Sequence, residues 1–426
     1  MKRFSILAFA LISTLANAAG GEFVLSGADL HTVSHGVIEK GEILVRDGKI
    51  AALGARVDAP AGVQRIALDG KQVYPGLIAS DSLLGLTEVD AVRATVDMAE
   101  SGAINPNARA LVAIDADSEL LPVARSNGVL TVHVVPRPSE DGLLTGQSAL
   151  VKLDGWTWED MSLVASVGVH LAWPSTRTPP WLPAQAQEKA AEAARRKFAA
   201  IDTAFREARS YQAARKQNPQ SPTDLRWEAM LPVLEGKQPL FVHANEAVQI
   251  REALALAQRE KLRLVLVGGM DAWHFADTLK ARGIPVILGS SHQLPQRRWE
   301  SYDSVYTAAG KLAAAGVRLA IANEGGASDE RNLPYQAASY AAFGLGRDAA
   351  LRAITLGPAE ILGVDQRLGS LDVGKDATLF VADGDALENF TKVERAWIQG
   401  REVDMSNKQT RLYEKYRGKY QGKPRN

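Results

Sequence analysis

Imidazole and carboxylate groups are the reactive side chains that this sequence offers, because it contains seven histidines and no cysteine. The lack of cysteine excludes thiol nucleophiles, disulfide scaffolds and cysteine-based zinc fingers. Several polar residues end, interrupt or follow apolar runs that are typical of buried strands: Asp81, His133, His243, His292, Asn323 and Glu324. Imidazoles and carboxylates at such positions can move protons or bind a divalent metal ion.

Each of these residues also has a purely structural interpretation. Asp81 lies in Ser-Asp-Ser, which is a good helix N-cap cluster, and Glu324 precedes two glycines that could simply form a turn. His243 could be a hydrogen-bonded core histidine, and His133 could face either a barrel interior or the surrounding helices. The residues alone leave both interpretations open.

No competing catalytic motif stands out. The chain lacks a G-x-S-x-G nucleophile elbow, a Walker loop and a G-x-G-x-x-G fingerprint after a strand. Nucleotide hydrolysis and dinucleotide binding therefore have no support in the sequence. A serine–histidine catalytic pair is a further possibility, although no spacing of serine and histidine residues indicates one.

The middle of the chain alternates short apolar runs with segments of helical periodicity. Eight runs have the length and composition of strands: residues 73–79, 129–135, 148–153, 168–171, 240–243, 262–267, 284–288 and 317–322. Eight strands with helical crossovers predict an α/β fold, a parallel (β/α)8 barrel of the TIM type. Functional residues of such barrels lie at the carboxyl ends of the strands, where Asp81, His243, His292 and Glu324 fall.

Both ends of the chain are rich in short strands. Residues 41–54 contain two β-like runs around Asp47-Gly48, a dipeptide that favours a hairpin turn. The same pattern returns near the carboxyl terminus, which predicts a small composite β-sandwich domain built from both termini. The predicted boundaries are 19–72 and 364–406 for this domain and 73–363 for the barrel.

Two further segments stand apart from these domains. An alanine-rich helix is predicted at about residues 184–216 as an insertion in the barrel, and its i,i+4 acid–base pairs indicate a solvated packing helix. Residues 407–426 are polar and basic, which predicts a frayed tail.

The first residues predict export. Lys2 and Arg3 precede the apolar run 4–15 and the small-x-small pattern Ala16-Asn17-Ala18. This is the pattern of a signal peptide, residues 1–18, cleaved after Ala18. We expect a periplasmic or secreted mature chain without an integral membrane segment, since no second apolar stretch is long enough to span a bilayer.

The charge of the chain is balanced, with 49 basic and 49 acidic residues. Proteins that bind nucleic acid usually carry a basic excess, so no nucleic-acid partner is expected. Hydrophobic residues make up 46% of the chain, which predicts a large folded core and excludes disorder over most of its length.

Three segments resemble those of the amidohydrolase superfamily. Residues 73–78, Val-Tyr-Pro-Gly-Leu-Ile, are similar to its entry into the first barrel strand, and residues 369–377, Gly-Ser-Leu-Asp-Val-Gly-Lys-Asp-Ala, to its return to the sheet domain. Val242-His243-Ala244 resembles its fifth-strand histidine. Residues 146–149 and 155–157 are similar to segments of the secreted, imidazolonepropionase-like branch.

This resemblance implies a barrel capped by a β-sandwich and metal-assisted hydrolysis of C–N bonds other than ordinary peptide bonds. In that chemistry a divalent metal lowers the pKa of a bound water, and a carboxylate after the eighth strand takes the proton. The resemblance also implies a small-molecule substrate. Barrels of this type often pair, so a homodimer is one expected assembly.

The metal-ligand positions of the superfamily are largely replaced in this sequence. Its His-x-His corresponds to Asp81-Ser82-Leu83, and its sixth-strand histidine falls in Gly268-Gly269. Its fifth-strand histidine is His243, and its eighth-strand aspartate is Glu324. We therefore predict at most one divalent ion, zinc, manganese or iron, bound by Asp81, His243 and Glu324.

Two hypotheses about function follow. In the first, the chain is an exported hydrolase with a remodelled or single-metal site, where Glu324 is the base and His243 a ligand or electrostatic stabiliser. His133, His292 and Asn323 would then line the substrate pocket. In the second hypothesis, the barrel is a catalytically inactive pseudoenzyme that binds a small molecule or a partner.

Overall fold

Two eight-stranded sheets organise the chain in the computed structural model, which describes residues 21–178 and 181–422. The predicted signal peptide, residues 1–18, lies outside the described residues. One sheet curls into the barrel that carries the candidate site, and the other combines strands from both ends of the chain.

The amino-terminal segment supplies five strands to the outer sheet. They are β1 (Phe23–His31), β2 (Val37–Arg46), β3 (Lys49–Gly54), β4 (Gln64–Ala67) and β5 (Gln72–Pro75). β2 and β3 form the predicted antiparallel hairpin. Its turn residues Asp47 and Gly48 both have positive φ, 50° and 75°, which suits an Asp-Gly turn. The hairpin prediction is therefore confirmed.

The next eight strands form the barrel sheet. They are β6 (Leu77–Ser82), β7 (Val129–Val134), β8 (Leu144–Lys152), β9 (Ser162–Ala172), β10 (Leu240–Ala244), β11 (Leu264–Gly268), β12 (Val286–Leu288) and β13 (Leu319–Ile321). They are hydrogen-bonded in chain order, and Ser80 Oγ donates to the carbonyl of Ile321 at 3.1 Å between the first and last strands. The sheet is thus a nearly closed barrel.

One strand of the barrel runs against the others, so the prediction of eight parallel strands is wrong in this detail. β8 is antiparallel to both β7 and β9, with Lys152 opposite Thr131. A parallel crossover needs about a dozen residues or more, and the connections 135–143 and 153–161 are shorter than that. The end of β8 therefore lies with the beginnings of its neighbours.

Strands from the carboxyl-terminal segment complete the outer sheet. They are β14 (Leu379–Ala382), β15 (Val393–Ile398) and β16 (Arg401–Val403), and β14 pairs with β5. The predicted first barrel strand, 73–79, is divided between the two sheets. The chain crosses from β5 to β6 at Gly76, where a Cβ atom would lie 2.9 Å from the Cβ of Leu130. Only glycine fits this crossing without displacing Leu130.

Helices cover the outside of the barrel. They are α1 (Leu120–Arg125), α2 (Trp158–Met161), α3 (Ala184–Gln217), α4 (Leu225–Leu234), α5 (Ala247–Glu260), α6 (Ala276–Ala281), α7 (Ser304–Ala314), α8 (Leu333–Tyr340), α9 (Arg347–Ala353), α10 (Leu356–Leu362) and α11 (Lys408–Tyr420). α3 coincides with the predicted inserted helix and buries Ile201, Phe205 and Ala208. No described helix is both long and apolar enough to cross a membrane.

The basic tail differs from its prediction. Residues 408–420 form helix α11 and are not frayed. Asn407 caps the helix, since its side-chain oxygen accepts from the backbone N–H of Thr410 at 3.0 Å, and the Thr410 hydroxyl accepts from the Asn407 N–H at 2.9 Å. This capping box satisfies backbone groups at the helix start, which the polar composition alone did not indicate.

Candidate functional site

The predicted site residues gather at the end of the barrel where the parallel strands terminate. Asp81 lies near the end of β6, His243 near the end of β10, and Glu324 shortly after β13. The barrel thus brings three sequence-distant residues to one face. Between them lies a residue that the sequence analysis missed, Arg137, which follows β7.

Arg137 and Asp81 form a buried ion pair. The guanidinium Nη1 donates to Asp81 Oδ1 at 2.6 Å, and the two side chains are 19% and 3% exposed. Burial raises the pKa of Asp81, but the adjacent guanidinium outweighs it and holds that pKa below its usual value. The negative charges of Asp81, Glu324 and Glu330 in turn keep Arg137 charged. The mouth therefore contains a fixed cation.

The predicted metal set of Asp81, His243 and Glu324 does not fit a metal ion. Within residues 21–178 and 181–422, no group of three or more histidine, aspartate or glutamate side chains is arranged to hold one. Asp81 is instead paired with Arg137, and the neighbouring family positions hold Leu83 and glycine, which offer no side-chain ligand. The single-metal prediction is corrected accordingly, since a guanidinium is placed where a divalent cation would need the carboxylate.

Below the mouth, aromatic and imidazole rings fill the barrel interior. His170 stacks on Phe241 with ring centroids 4.6 Å apart, and the His133 ring lies 5.1 Å from Phe241. His133 Nδ1 donates to the Ser80 carbonyl at 2.8 Å, so its Nε2 is an acceptor and receives the Ser148 hydroxyl at 2.7 Å. This assigns His133 to the floor of the site. Ser148 is fully buried, which makes the pair a structural contact and not an accessible nucleophile.

His170 fixes the tautomer of His243. His170 Nδ1 and His243 Nε2 lie 2.9 Å apart, and the buried His170 Nε2 has no partner among the described residues. A buried N–H without an acceptor is rare, so the favoured arrangement leaves His170 Nε2 without hydrogen. His170 Nδ1 then donates to His243 Nε2, and His243 carries its hydrogen on Nδ1. His243 is therefore a hydrogen-bond donor.

All three interior histidines are neutral at pH 7. Burial lowers the pKa of His133 and of His243 to about 4, and it lowers the pKa of His170 well below its usual value. The positive charge of Arg137 lowers each of them further. Neutral imidazoles next to a fixed guanidinium leave Arg137 as the permanent positive charge of this cluster.

Glu324 is held in an uncommon backbone conformation. Its φ is 47°, in the left-handed region that non-glycine residues seldom adopt. Gly289 makes room for its carboxylate, since a Cβ at position 289 would lie 2.0 Å from Glu324 Oε2. Gln293 Nε2 donates to the same oxygen at 3.1 Å. Burial and the charge of Asp81 raise the pKa of Glu324, against the opposing effect of Arg137.

Glu330 is a third acid at the mouth, and it was not predicted from the sequence. It lies in the short 3-10 helix Ala327–Asn332 and is 2% exposed, and its Oε1 has no partner among the described residues. Burial raises its pKa to about 7, and the negative charge of Asp81 acts in the same direction. A charged residue four positions past a glycine pair resembles an ordinary exposed loop residue, so its burial could not be predicted from the sequence.

The two remaining pocket candidates are linked through Gln336. Asn323 is 3% exposed, and its Oδ1 accepts from Gln336 Nε2 at 3.1 Å. Gln336 Nε2 also contacts His292 Nδ1 at 3.3 Å, and His292 Nε2 lies 2.9 Å from Ser339 Oγ. His292 is exposed and is held against α8, at the edge of the mouth. Asn323 thus belongs to the buried network, whereas His292 belongs to its rim.

A narrow crevice leads from Glu324 to a larger cavity. The crevice, which Gly289 and Asn245 also line, has only about 10 Å³ of free volume. Met270 and Val305 border both this crevice and a neighbouring cavity of about 290 Å³, which Trp273 and Trp299 line on its other sides. The cavity approaches the size of small-ligand pockets, and it shares two lining residues with the crevice beside Glu324.

The sequence offered one usable sign of Arg137. It is a basic residue between two prolines directly after a predicted strand, at the end where barrel sites lie. Lys152, a basic residue on a barrel strand, lies far from the mouth. The antiparallel β8 carries it to the opposite end of the barrel, where its side chain donates to Gln399 at 2.9 Å.

Removing the guanidinium should leave a buried carboxylate unpaired. We expect Arg137→Met to lower the free energy of unfolding by about 3 kcal/mol at pH 7, measured by urea denaturation. Asp81→Asn in the same chain should recover much of that loss, because the unpaired charge is gone. Arg56→Met, at an exposed arginine, is the control. A melting curve of Arg137→Met equal to that of the unmodified chain would refute the pairing.

Glu330 should destabilise the fold as the pH rises. Its folded pKa of about 7 lies above the unfolded value near 4.5, so the stability it contributes is complete below pH 4.5 and is lost as the pH rises through 7. Glu330→Gln cannot ionise, and we expect its stability relative to the unmodified chain to rise between pH 5 and pH 8. The gain is on the order of 3 kcal/mol. Parallel stability profiles in chemical denaturation at the two pH values would contradict this.

Known proteins resemble this chain in sequence. Residues 242–403 match the sequence profile of the Amidohydrolase family, and this segment includes His243 and Glu324. Amidohydrolase tasK of Hapsidospora irregularis is 22% identical over 393 residues, which cover 84% of this chain and 39% of that protein. The imidazolonepropionase of Klebsiella pneumoniae is 48% identical over 48 residues, 11% of this chain and 12% of the relative. The chain thus spans well under half the length of these relatives.

Solved structures share the fold. An amidohydrolase from Thermotoga maritima superposes with a TM-score of 0.80 at 24% identity, covering 90% of this chain and 99% of that one. An adenosine deaminase from Xanthomonas campestris with bound zinc superposes with a TM-score of 0.53 at 18% identity, covering 94% and 98%. Together with the match of residues 242–403 to the family profile, these similarities confirm the predicted resemblance to the amidohydrolase superfamily.

Proposed function

We propose that this chain is an exported hydrolase that cleaves a C–N bond other than an ordinary peptide bond in a small molecule, without a catalytic metal. The observation that carries the proposal is Glu324, a buried carboxyl group in a left-handed backbone conformation beside a fixed guanidinium. Strained, buried acids of raised pKa are typical of catalytic bases. The predicted signal peptide supports a location outside the cytoplasm.

The charges of the mouth suit hydrolysis by a carboxylate base. Glu324 accepts a proton from water as the water oxygen attacks the carbonyl carbon, and a raised pKa makes it a stronger base. The same proton then passes to the leaving nitrogen as the C–N bond breaks, so Glu324 returns to its starting state. No charge is left over at the end of this cycle.

Arg137 and His243 would stabilise the negative oxygen of the intermediate. Among the described residues, the Arg137 side chain has one recorded acceptor, Asp81, so N–H groups of the guanidinium remain for a ligand. His243 offers the hydrogen on Nδ1 that its contact with His170 dictates. Donors fixed before the reaction cost no reorganisation when the charge develops.

The relatives suggest which bonds to test. Similar proteins are named as imidazolonepropionase, Xaa-Pro dipeptidase and adenosine deaminase, which together involve cyclic amides, bonds to proline and ring amino groups. The neighbouring cavity of about 290 Å³ with two tryptophans favours a small substrate with a planar or apolar part. The homodimer expected from the sequence stays a prediction.

A second candidate function rests on a separate observation. The crevice beside Glu324 has only about 10 Å³ of free volume, and Asp81 is paired with Arg137. A barrel closed in this way would bind a ligand in the neighbouring cavity without turning it over. This is the pseudoenzyme hypothesis, with the cavity as the ligand site.

Hydrolysis by protein dialysed against EDTA tests the first function. The substrates are a panel of N-acyl amino acids, Xaa-proline dipeptides, cyclic amides and aminopurines, followed by chromatography of the products. We expect turnover that EDTA leaves unchanged and that Glu324→Gln reduces by about 10²–10⁴-fold, since it removes the base. Glu188→Gln, at an exposed glutamate on α3, is the matched control.

The outcomes separate the two functions. Activity that EDTA abolishes and zinc restores would contradict metal-free hydrolysis. Compounds that raise the melting temperature but are never cleaved would favour the pseudoenzyme. Equal activity of Glu324→Gln and Glu188→Gln would remove Glu324 from the mechanism.

A further inference from the structure

Helix α11 lies on the surface without burying any of its residues in the rest of the protein. Four of its larger side chains are exposed: Leu412 by 41%, Tyr413 by 63%, Tyr416 by 47% and Tyr420 by 82%. Tyrosine and leucine normally gain stability by burial, so such a group in solvent needs an explanation.

These four side chains lie on one face of the helix. With about 100° between successive residues, Leu412, Tyr416, Tyr420 and Tyr413 fall within an arc of about 100°. Basic residues flank this arc, and the acid Glu414 points away from it. The basic residues are Lys408, Arg411, Lys415, Arg417 and Lys419. α11 is therefore an aromatic stripe bordered by cations.

The cationic groups lie at the level of the aromatic rings. Lys415 Nζ is 5.8 Å from the centre of the Tyr416 ring, Lys419 Nζ is 5.8 Å from that of Tyr420, and the Arg417 guanidinium is 5.6 Å from that of Tyr413. Arg411 joins the helix to the body through an ion pair with Glu119 at 2.7 Å. The aromatic stripe has no such attachment among the described residues.

We propose that α11 is an interfacial helix that binds an anionic lipid surface. Its composition matches helices that lie in the headgroup region, where tyrosine rings enter the apolar boundary and lysines and arginines reach acidic headgroups. The helix has five basic residues and one acid, a charge of +4 that an anionic surface complements. At 13 residues it is about 20 Å long, which suits binding along a surface.

Charge disfavours the other occupants. A second copy of α11 would bring two helices of charge +4 together. A nucleic acid would extend beyond the helix onto the rest of the mature chain. The net charge of that part is −6, because loss of Lys2 and Arg3 lowers the net charge from zero to −2 and α11 contributes +4. Both contacts would add like-charge repulsion.

Vesicle binding tests this proposal on the predicted mature chain, which starts at Ala19, so that the apolar leader cannot insert. The chain is centrifuged with phosphatidylcholine vesicles that contain or lack phosphatidylglycerol. We expect binding only to the anionic vesicles, and its loss between 0.1 M and 1 M salt. Each basic residue at an anionic surface contributes about fivefold, so Lys415→Glu with Lys419→Glu should weaken binding at least about 20-fold.

Matched variants distinguish the contribution of α11 to vesicle binding from that of the net charge of the chain. Lys189→Glu with Lys280→Glu changes the net charge equally at exposed sites outside α11, and we expect it to leave binding nearly unchanged. Tyr416→Ser with Tyr420→Ser keeps the charge and should weaken binding through the lost apolar contact. Unchanged melting temperatures verify that each variant is folded.

Four results would overturn the proposal. The first two are no binding to either kind of vesicle and equal binding to neutral and anionic vesicles. The third is a loss of binding in the Lys189 and Lys280 variant equal to that in the Lys415 and Lys419 variant. The fourth is that the α11 variants change the oligomeric state and not lipid binding. Tighter binding to a single-stranded oligonucleotide than to anionic vesicles would likewise assign the helix to another partner.

Discussion

The buried pair of Arg137 and Asp81 sets the electrostatics of the whole barrel mouth. Its guanidinium keeps Asp81 ionised, and it helps to keep the interior histidines neutral. The carboxylate, in turn, raises the pKa of both Glu324 and Glu330. A positive charge thus lies at the mouth on a guanidinium that is paired with a carboxylate. Neighbouring parallel strands, β6 and β7, deliver the two partners to the same end of the barrel.

The barrel interior supports this pair from below. The Phe241 ring packs against both the His133 and the His170 rings, and the antiparallel β8 brings Ser148 within hydrogen-bond distance of His133. Each imidazole in this layer has a defined tautomer because its neighbour accepts or donates. The floor is therefore rigid and neutral, and charge is confined to the mouth.

Local patterns predicted much of this structure from the sequence. Asp47-Gly48 marked the hairpin, the alanine-rich segment marked α3, and the position of His243 at the end of an apolar run placed it at the mouth. The direction of β8 was not predicted, because an apolar run does not show which way a strand points. The connections on either side of β8 are too short for parallel crossovers, but their lengths are known only from the structure. Arg137 and Glu330 were missed because burial of a charged side chain depends on partners that are distant in the sequence.

We infer that a guanidinium, and not a divalent ion, provides the positive charge of the site. Anomalous X-ray diffraction at the zinc edge, from crystals grown with excess zinc, would show which of the two is present. We expect Arg137 Nη1 to be hydrogen-bonded to Asp81, with no anomalous peak at bonding distance from Asp81, His243 or Glu324. A peak bonded to these three side chains at about 2.0–2.2 Å, with Arg137 displaced, would contradict it.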